Sequence, residues 1–296
     1  MLIAGGTGLI GTALQEAARQ LSWEVDILSR QVGPGNIHWN PDTHQIDINS
    51  PITYDVIVNL AGVPIAGQRW TVSRKTAIQN SRVEAAATIE KYLRSGLLQT
   101  SLYIGASAIG IYGDHGQEVV DELTPIAQGD DWMVRTVVNW ENAHHKIEAL
   151  HIRVAIFRIG LVLSRKGGAL KEMLMTAPFG FLGVFGSGKQ YWSWIHIDDL
   201  VNAMMMAIEK PEMKGIFLAV APHPVPNRML TKEVSKGHKP PRILLPVPRI
   251  GLSLVLGKMH MMLFQSLNGH PTRLLGQGYV FKYPNLDQAI KDLFKK

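Results

Sequence analysis

Cysteine is absent from this chain of 296 residues, which excludes a disulfide-stabilised scaffold and any metal site built from thiolates. Charged residues are few, at 18%, while hydrophobic residues make up 46% and the mean hydropathy is +0.04, so the composition is not that of a disordered chain. The chain is therefore long and apolar enough to bury a large core in one domain or two.

Long hydrophobic runs are also missing. The longest apolar stretch, residues 251–264, is interrupted by Lys258 and His260 and falls short of the roughly 18 residues that cross a bilayer. The N-terminus starts with the strand-like Leu2-Ile3-Ala4 and has no basic region before it, which predicts neither a signal peptide nor a transit peptide. We expect a cytoplasmic protein that does not associate with membranes.

Basic residues are unevenly distributed along the chain. Residues 1–200 contain 16 basic and 19 acidic side chains, whereas residues 201–296 contain 14 basic and 5 acidic ones, which together give the net charge of +6. The basic residues of the second part stand singly among prolines and apolar residues, a pattern that favours a solvated surface over a polyanion site. We expect a small-molecule substrate and no nucleic acid, and leave a homodimer open.

Strands alternate with helices over the first 160 residues, which predicts an α/β fold with a Rossmann-type, doubly wound parallel sheet. Residues 161–189 are rich in glycine and are interpreted as a loop-rich excursion, and the prolines at 222, 224 and 226 mark a boundary. We therefore predict an NADP-binding domain from residues 1–160 and 190–222, and a smaller C-terminal substrate or lid domain from residues 161–189 and 223–296.

A glycine-rich turn joins the first predicted strand to the first helix, with Gly5, Gly8 and Gly11 at a spacing of three. Small residues let the backbone approach a pyrophosphate, and the helix N-terminus offers free N–H groups to it. A dinucleotide site is favoured over a turn without a ligand. The predicted contacts are Gly5, Gly6, Thr7, Gly8, Leu9, Ile10 and Gly11.

The end of the second strand indicates which dinucleotide is bound. An acidic residue that would accept hydrogen bonds from the ribose of NAD is replaced by Ser29 and Arg30, and a guanidinium can bind a 2′-phosphate. Asp26 lies too early in the strand to reach the ribose. NADP(H) is therefore the predicted cofactor, with a merely solvated Arg30 as the alternative.

Several further motifs carry a resemblance to a known family. They are NLAG at 59–62, SRV at 81–83, RIGLVLS at 158–164, GSGKQ at 186–190 and WIHIDDL at 194–200. Together with the glycine turn, they resemble the extended short-chain dehydrogenase/reductase superfamily in its epimerase/dehydratase branch, and more closely the poorly characterised epimerase family proteins. The resemblance implies a Rossmann domain with a nicotinamide cofactor, and it adds Asn59, Leu60, Ala61 and Gly62 to the cofactor site.

The sequence departs from that superfamily at its catalytic pair, Tyr-x-x-x-Lys, because none of the seven tyrosines is followed by lysine four residues later. The corresponding positions are Met133 and Val137, which cannot exchange protons. Ser107 and Tyr112 are the candidates to replace the pair. A structural role remains equally open for Ser107 and is favoured for Tyr112.

The predicted substrate site combines possible anion contacts with two residues of the WIHIDDL segment, for which packing is the alternative role. These residues are Arg69, Arg82, Arg158, Lys189, Trp194 and His196. No metal site is predicted, because the histidines at 144 and 145 lack a zinc-binding spacing.

Two functions follow from these observations. The first is an NADP(H)-binding oxidoreductase or epimerase-like enzyme. Its expected substrate is small and either nucleotide-linked or anionic in another way. The second is a non-catalytic NADP(H)-binding regulatory protein, which the absent Tyr-Lys pair favours and for which the resemblance suggests a link to cell division.

Overall fold

The computed structural model describes residues 1–33 and 35–295, without the side chain of Val255. Lys296, the last residue of the predicted lid domain, lies outside this range. The strands are β1 Leu2–Ala4, β2 Asp26–Ser29, β3 Asn36–Asn40, β4 Gln45–Ile46, β5 Ile52–Asn59, β6 Leu98–Ala108, β7 Val119–Val120, β8 Arg153–Ile159, β9 Leu161–Ser164, β10 Phe181–Phe185, β11 Tyr191–Trp192, β12 Trp194–His196, β13 Gly215–Ala219, β14 Val225–Pro226, β15 Ile243–Val247 and β16 Asn268–Gly269.

Helices separate most of the long strands. They are α1 Leu9–Gln20, α2 Val72–Arg94, α3 Trp132–His145, α4 Gly168–Met173, α5 Ile197–Glu209, α6 Asn227–Gly237, α7 Arg249–Leu256, α8 Met261–Phe264, α9 Thr272–Gly276 and α10 Leu286–Leu293. Short 3-10 turns occur at Pro41–Thr43, Ile109–Tyr112, Lys146–Leu150, Leu174–Phe179 and Gly257–His260. Within the described residues, no helix has the length and apolar character needed to cross a membrane.

Eight strands of the described chain form the main sheet, in the order β13-β8-β6-β5-β1-β2-β3-β4, and only β4 runs antiparallel to its neighbour. Strand β1 lies between β2 and β5, with Ala4 opposite both Leu28 and Asn59. The predicted α/β fold with a doubly wound parallel sheet is confirmed. Because these strands end at the same edge, the segments that follow them converge there.

Apolar side chains fill both faces of the sheet. Helices α1 and α5 cover one face, where Leu14 and Leu200 are fully buried, and α2 covers the other, where Ile89 is fully buried.

Capping side chains mark the first turns of two helices. The hydroxyl of Thr71 accepts a hydrogen bond from the Arg74 N–H at the start of α2, and Asp131 caps α3.

A third apolar cluster joins β9, β12, α6 and α10. Leu163 and Ile290, from the predicted lid domain, pack with Trp194, from the predicted Rossmann domain. Tyr279 and Phe281, also from the predicted lid domain, pack into the core of the main sheet. Contacts thus cross the predicted boundary in both directions, and the two-domain division stays a prediction.

Candidate functional site

The glycine turn lies where β1 passes into α1. Gly5 has φ +78°, and a Cβ there would lie 2.8 Å from the carbonyl carbon of Leu60. A Cβ at Gly11 would lie 2.4 Å from the Gly5 oxygen, so both positions need glycine for close packing. No side chain in the described part of the chain caps α1, whose Ncap residue is Gly8. The first-turn N–H groups are therefore available to an anion.

A cavity of about 210 Å³ opens beside this turn. Residues from the ends of β1, β2, β3 and β5 and from α2 line it. They are Gly5, Thr7, Gly8, Leu28, Ser29, Arg30, Trp39, Pro41, Asp42, Leu60, Ala61, Gly62, Val63 and Ser81. Eight of the predicted cofactor contacts are thus brought together. The other five, Gly6, Leu9, Ile10, Gly11 and Asn59, are adjacent in the chain but do not line the cavity, and their role stays a prediction.

The charged groups of this cavity lie at the end of β2 and in the turn after β3. Arg30 is exposed and has no ion-pair partner among the described residues. The buried Ser29 hydroxyl accepts a hydrogen bond from the N–H of Gln31 at 3.0 Å. Asp42 also lines the cavity and was missed by the sequence analysis, as were Trp39 and Pro41. Trp39 lies near the end of β3, and Pro41 and Asp42 follow that strand directly; this position at the end of a sheet strand is the signal that could have identified them.

A larger cavity, of about 630 Å³, lies at the opposite edge of the sheet, where β1, β2 and β5 begin. Its lining includes the carboxylates of Glu24, Asp26 and Asp55. Negative charge disfavours a dinucleotide there, and parallel sheets bind their ligands at the other edge. The smaller cavity beside the glycine turn is therefore the better candidate.

A buried hydrogen-bond relay fixes the NLAG segment. The Asn59 amide oxygen accepts from the Ala61 N–H at 3.1 Å, and its nitrogen donates to the Tyr103 hydroxyl at 2.9 Å. The Tyr103 hydroxyl donates to Nδ1 of His144 at 2.8 Å, because Nε2 must donate to the Ala106 carbonyl at 3.0 Å. Burial lowers the pKa of His144 to about 4, so the ring is neutral at pH 7.

The His144 ring lies close to the backbone of β6. A Cβ at Gly105 would lie 2.9 Å from the ring atoms Cγ and Cδ2, so glycine leaves the space that the imidazole needs. The relay therefore depends on tight packing between β6 and α3 as well as on hydrogen bonds.

The two predicted catalytic residues are held by one buried ion pair between α3 and β8. Glu141 accepts two hydrogen bonds of 2.8 Å from Arg158, through different carboxylate oxygens. The Ser107 hydroxyl donates to Glu141 at 2.6 Å, and Arg158 donates to the Tyr112 hydroxyl at 2.7 Å. All four side chains are buried. Ser107, Tyr112 and Arg158 are thus brought together, with Glu141 as the centre that the sequence analysis did not identify.

Burial and charge set the protonation of this group. Burial raises the pKa of Tyr112, although the positive charge of Arg158 opposes the rise. Burial alone would lower the pKa of Arg158, but its hydrogen bonds to Glu141 and the charge of that carboxylate raise it overall. At neutral pH the phenol therefore keeps its proton and Arg158 stays charged. Met133 and Val137, at the positions of the family's Tyr and Lys, are also buried.

The remaining predicted substrate contacts are dispersed. Arg82 is buried beside Gly62, where it donates to the Val63 and Ile78 carbonyls, and Arg69 donates to the Leu254 carbonyl. Lys189 is exposed, in the turn before β11. The structure therefore does not gather these three residues around Ser107.

Trp194 and His196 are buried, and Trp194 belongs to the third apolar cluster. The Trp194 Nε1 donates to the His223 carbonyl at 3.1 Å, and the Nδ1 of His196 accepts from the Asp198 N–H at 3.1 Å as the cap of α5. Their role in substrate binding stays a prediction.

Among the described residues, one group of side chains has the composition of a metal site: His196, Asp198 and Asp292, whose ligand atoms lie within 4.8 Å of one another. The Nδ1 lone pair of His196 is used by a backbone N–H, so Nε2 carries the proton of the neutral ring. A metal would have to displace that proton or that hydrogen bond, and the group is better explained as a helix cap that faces α10.

Comparisons with known proteins identify the family of the chain. Residues 1–218 match the family described as NAD dependent epimerase/dehydratase, and residues 247–293 match a domain of unknown function, DUF1731. An epimerase family protein of Staphylococcus saprophyticus is 32% identical over 299 residues, which cover 99% of this chain and 98% of the relative. One of Staphylococcus aureus is 30% identical over 305 residues, covering 100% and 99%.

Solved structures are similar over the whole chain. The human epimerase family protein SDR39U1, solved with NADPH, has a TM-score of 0.89 and 29% identity, covering 99% of this chain and 98% of that one. The UDP-glucuronic acid 4-epimerase of Bacillus cereus, solved with NAD, has a TM-score of 0.75 and 15% identity, covering 99% and 95%. The second likeness is one of fold alone.

Proposed function

The chain belongs to the NAD dependent epimerase/dehydratase family, as its motifs predicted, and we propose that it binds NADP(H) in the cavity beside the glycine turn. The observation that carries the proposal is the cavity itself, which is lined both by Gly8, the Ncap residue of α1, and by the exposed Arg30. NADPH in the human relative supports the choice of the phosphorylated cofactor.

The residues present fit this cofactor. A Cβ at Gly5 or Gly11 would meet neighbouring backbone, so these glycines allow the turn to pack tightly. Gly8 lines the cavity and has no side chain to keep a pyrophosphate away from the backbone. Ser29 and Arg30 offer a hydroxyl and a guanidinium at the end of β2, where an acid would repel a 2′-phosphate. The Asn59–Tyr103–His144 relay holds the NLAG segment against the same cavity.

We propose further that the protein is an oxidoreductase or epimerase-like enzyme of the cytoplasm, with a small anionic substrate, nucleotide-linked or not. The cofactor supplies hydride transfer when bound. Ser107 and Tyr112 are the proposed proton-handling groups. Because the pKa of Tyr112 is raised, its phenol suits proton donation rather than proton abstraction.

A second function is favoured by one observation. Both candidate hydroxyls are engaged with the Glu141–Arg158 ion pair, and Met133 and Val137 occupy the positions of the family's Tyr and Lys. A protein that binds NADP(H) and reports it to a partner, without turnover, needs none of these groups to be reactive.

Titration calorimetry with NADPH and NADH tests the cofactor. Arg30→Ala should weaken the binding of NADPH by about ten- to a hundredfold, because a charge-assisted contact is lost. The affinity for NADH should not change. Asp42→Asn tests whether that carboxylate binds a ribose; if it does, the variant should bind NADH more weakly. Arg228→Ala, an exposed arginine on α6, is the matched control. Equal losses for both cofactors in Arg30→Ala would contradict the proposed phosphate contact.

Label transfer separates the two functions. Tritiated NADPH is incubated with the protein and fractionated small metabolites. Transfer to any fraction supports the enzyme, whereas tight NADPH binding without transfer across all fractions supports the regulatory protein.

A further inference from the structure

A third cavity, of about 250 Å³, lies between the start of α3, the segment that leads into α2 and the segment 258–265. One wall is aromatic: the rings of Trp70 and Trp132 meet edge to face with centroids 4.8 Å apart. Methionines 133, 261 and 262 line the rest of its apolar surface. Flat rings pack favourably against indoles, and methionine adapts to irregular apolar shapes. This surface is therefore suited to a flat apolar group.

Two lysines belong to the lining of this cavity. The Lys75 ammonium lies 4.8 Å from the centre of the Trp132 ring, and Lys258 is an exposed residue of the same lining. Neither has a carboxylate partner among the residues that the structure describes.

The two acidic residues at this cavity are already engaged. Asp130 pairs with Arg135, and Asp131 accepts the Met133 N–H at 2.7 Å as the cap of α3. The two lysines and two aspartates of the lining have charges that cancel, and Arg135, paired with Asp130, leaves an excess of one positive charge that favours a singly charged anion.

We propose that this cavity binds a small, flat, apolar ring that carries one carboxylate, and that such carboxylates are the substrate class of the protein. The second clause rests on the proposed function; the first stands on the cavity alone. Met133 connects them, because it lines the cavity and occupies the position where the family places its catalytic tyrosine.

The lining argues against a nucleotide sugar as the occupant. A sugar needs several hydrogen-bond partners for its hydroxyls, whereas Gln265 is the one uncharged polar side chain in the described lining. A compact aromatic carboxylate needs only a ring surface and a cation.

The experiment uses 2-naphthoate as the probe, with binding followed by tryptophan fluorescence and by titration calorimetry on the full chain. The comparison ligands are 2-naphthamide, which lacks the charge, cyclohexanecarboxylate, which lacks the flat ring, and UDP-glucuronic acid. We expect 2-naphthoate to bind at least about tenfold more tightly than each of the three. Lys258→Gln and Lys75→Gln should each weaken it by about three- to tenfold. Lys232→Gln, an exposed lysine on α6, should not.

Each outcome decides the proposal. Equal binding of the acid and the amide, tighter binding of UDP-glucuronic acid, or no response to Lys258→Gln would overturn it. Lys258 is exposed, so its variant is expected to fold even if Lys75→Gln does not. NADPH affinity is measured in parallel: NADPH binding without naphthoate binding overturns this inference alone, while naphthoate binding without NADPH binding overturns the proposed function and leaves the cavity's ligand class supported.

Discussion

Glu141 and Arg158 form a two-pronged ion pair whose side chains are only 6% and 5% exposed. The pair joins α3 to β8, and the hydroxyls of Ser107 and Tyr112 complete its hydrogen bonds on either side. Buried charges are tolerated when they are paired and fully hydrogen-bonded, and they become costly when one partner is removed. The predicted catalytic residues are therefore also part of the structural support of the fold.

Replacing Glu141 by Leu should lower the free energy of unfolding by about 3–5 kcal/mol, because Arg158 would remain buried without a counter-charge. The double variant Glu141→Leu/Arg158→Met should recover much of that loss. Urea unfolding of the two single variants and the double variant measures the coupling. Strictly additive losses would show that the two side chains do not act as a pair.

Replacing Tyr112 by Phe removes the oxygen that accepts from Arg158 and should destabilise the fold by about 1–3 kcal/mol. If the phenol donates a proton in the reaction, turnover should fall by about 10²–10⁴-fold once a substrate is found. Tyr92→Phe is the matched control, since it too loses a hydroxyl that accepts a hydrogen bond, from the Ile46 N–H in the edge strand β4, where no catalytic residue is proposed.

Ser107→Ala is a separate test of the second hydroxyl. The variant removes one donor to Glu141 while the ion pair to Arg158 remains, so we expect a stability loss of about 1 kcal/mol. Turnover and NADPH affinity are measured together. Normal turnover in both Ser107→Ala and Tyr112→Phe, with cofactor binding intact, would remove both residues from the catalytic proposal and favour the regulatory protein.

Acidification should weaken the fold through His144. Its pKa is about 4 in the folded chain and about 6.5 when unfolded, so between these values the unfolded chain binds the proton and the folded chain does not. Stability should therefore decrease as pH falls from about 6.5 to about 4, by on the order of 3 kcal/mol from this residue. His144→Gln keeps a donor and an acceptor but does not titrate. Between pH 4 and pH 7, the free energy of unfolding of this variant should change by about 3 kcal/mol less than that of the unaltered chain. Identical slopes of the unfolding free energy against pH in the two proteins would exclude His144 as the cause.

Gly11→Ala should destabilise the chain by at least about 2 kcal/mol and weaken NADPH binding, because a Cβ would lie 2.4 Å from the Gly5 oxygen. Gly276→Ala provides the control, as its Cβ would have no atom within 4 Å. Thermal unfolding and NADPH titration compare the two. A fully stable Gly11→Ala that binds NADPH normally would contradict the tight packing of the turn.

Local patterns predicted most of the sheet domain. The alternation of strands and helices gave the confirmed fold class. The sequence also predicts a helix from about Val72 to Arg94, and these are the bounds of α2 in the structure. For the first helix the sequence predicts a start at Thr12, but α1 begins at Leu9, because Gly8 serves as its Ncap residue. Such signals are local, since they depend on neighbouring residues and the periodicity of apolar side chains.

Long-range pairing was beyond those patterns. Residues 161–189 were interpreted as loop-rich, yet β9 pairs with β12, and β10 pairs with β15 some 62 residues along the chain. The same limit applies to the site. Nothing near Glu141 in the sequence identifies Arg158 as its partner, and nothing near Trp70 identifies Trp132. Those contacts are set by the packing of separate elements.

The close approach of the His144 ring to Gly105 also limits which substitutions this sequence can accept during evolution. A side chain at position 105 and an imidazole at position 144 compete for the same volume, since a Cβ at 105 would lie 2.9 Å from the ring. Substitutions at the two positions should therefore be correlated among homologues: alanine or serine at 105 should occur together with a smaller residue at 144. Where both change, Tyr103 loses its acceptor, and a change at that third position is expected to follow.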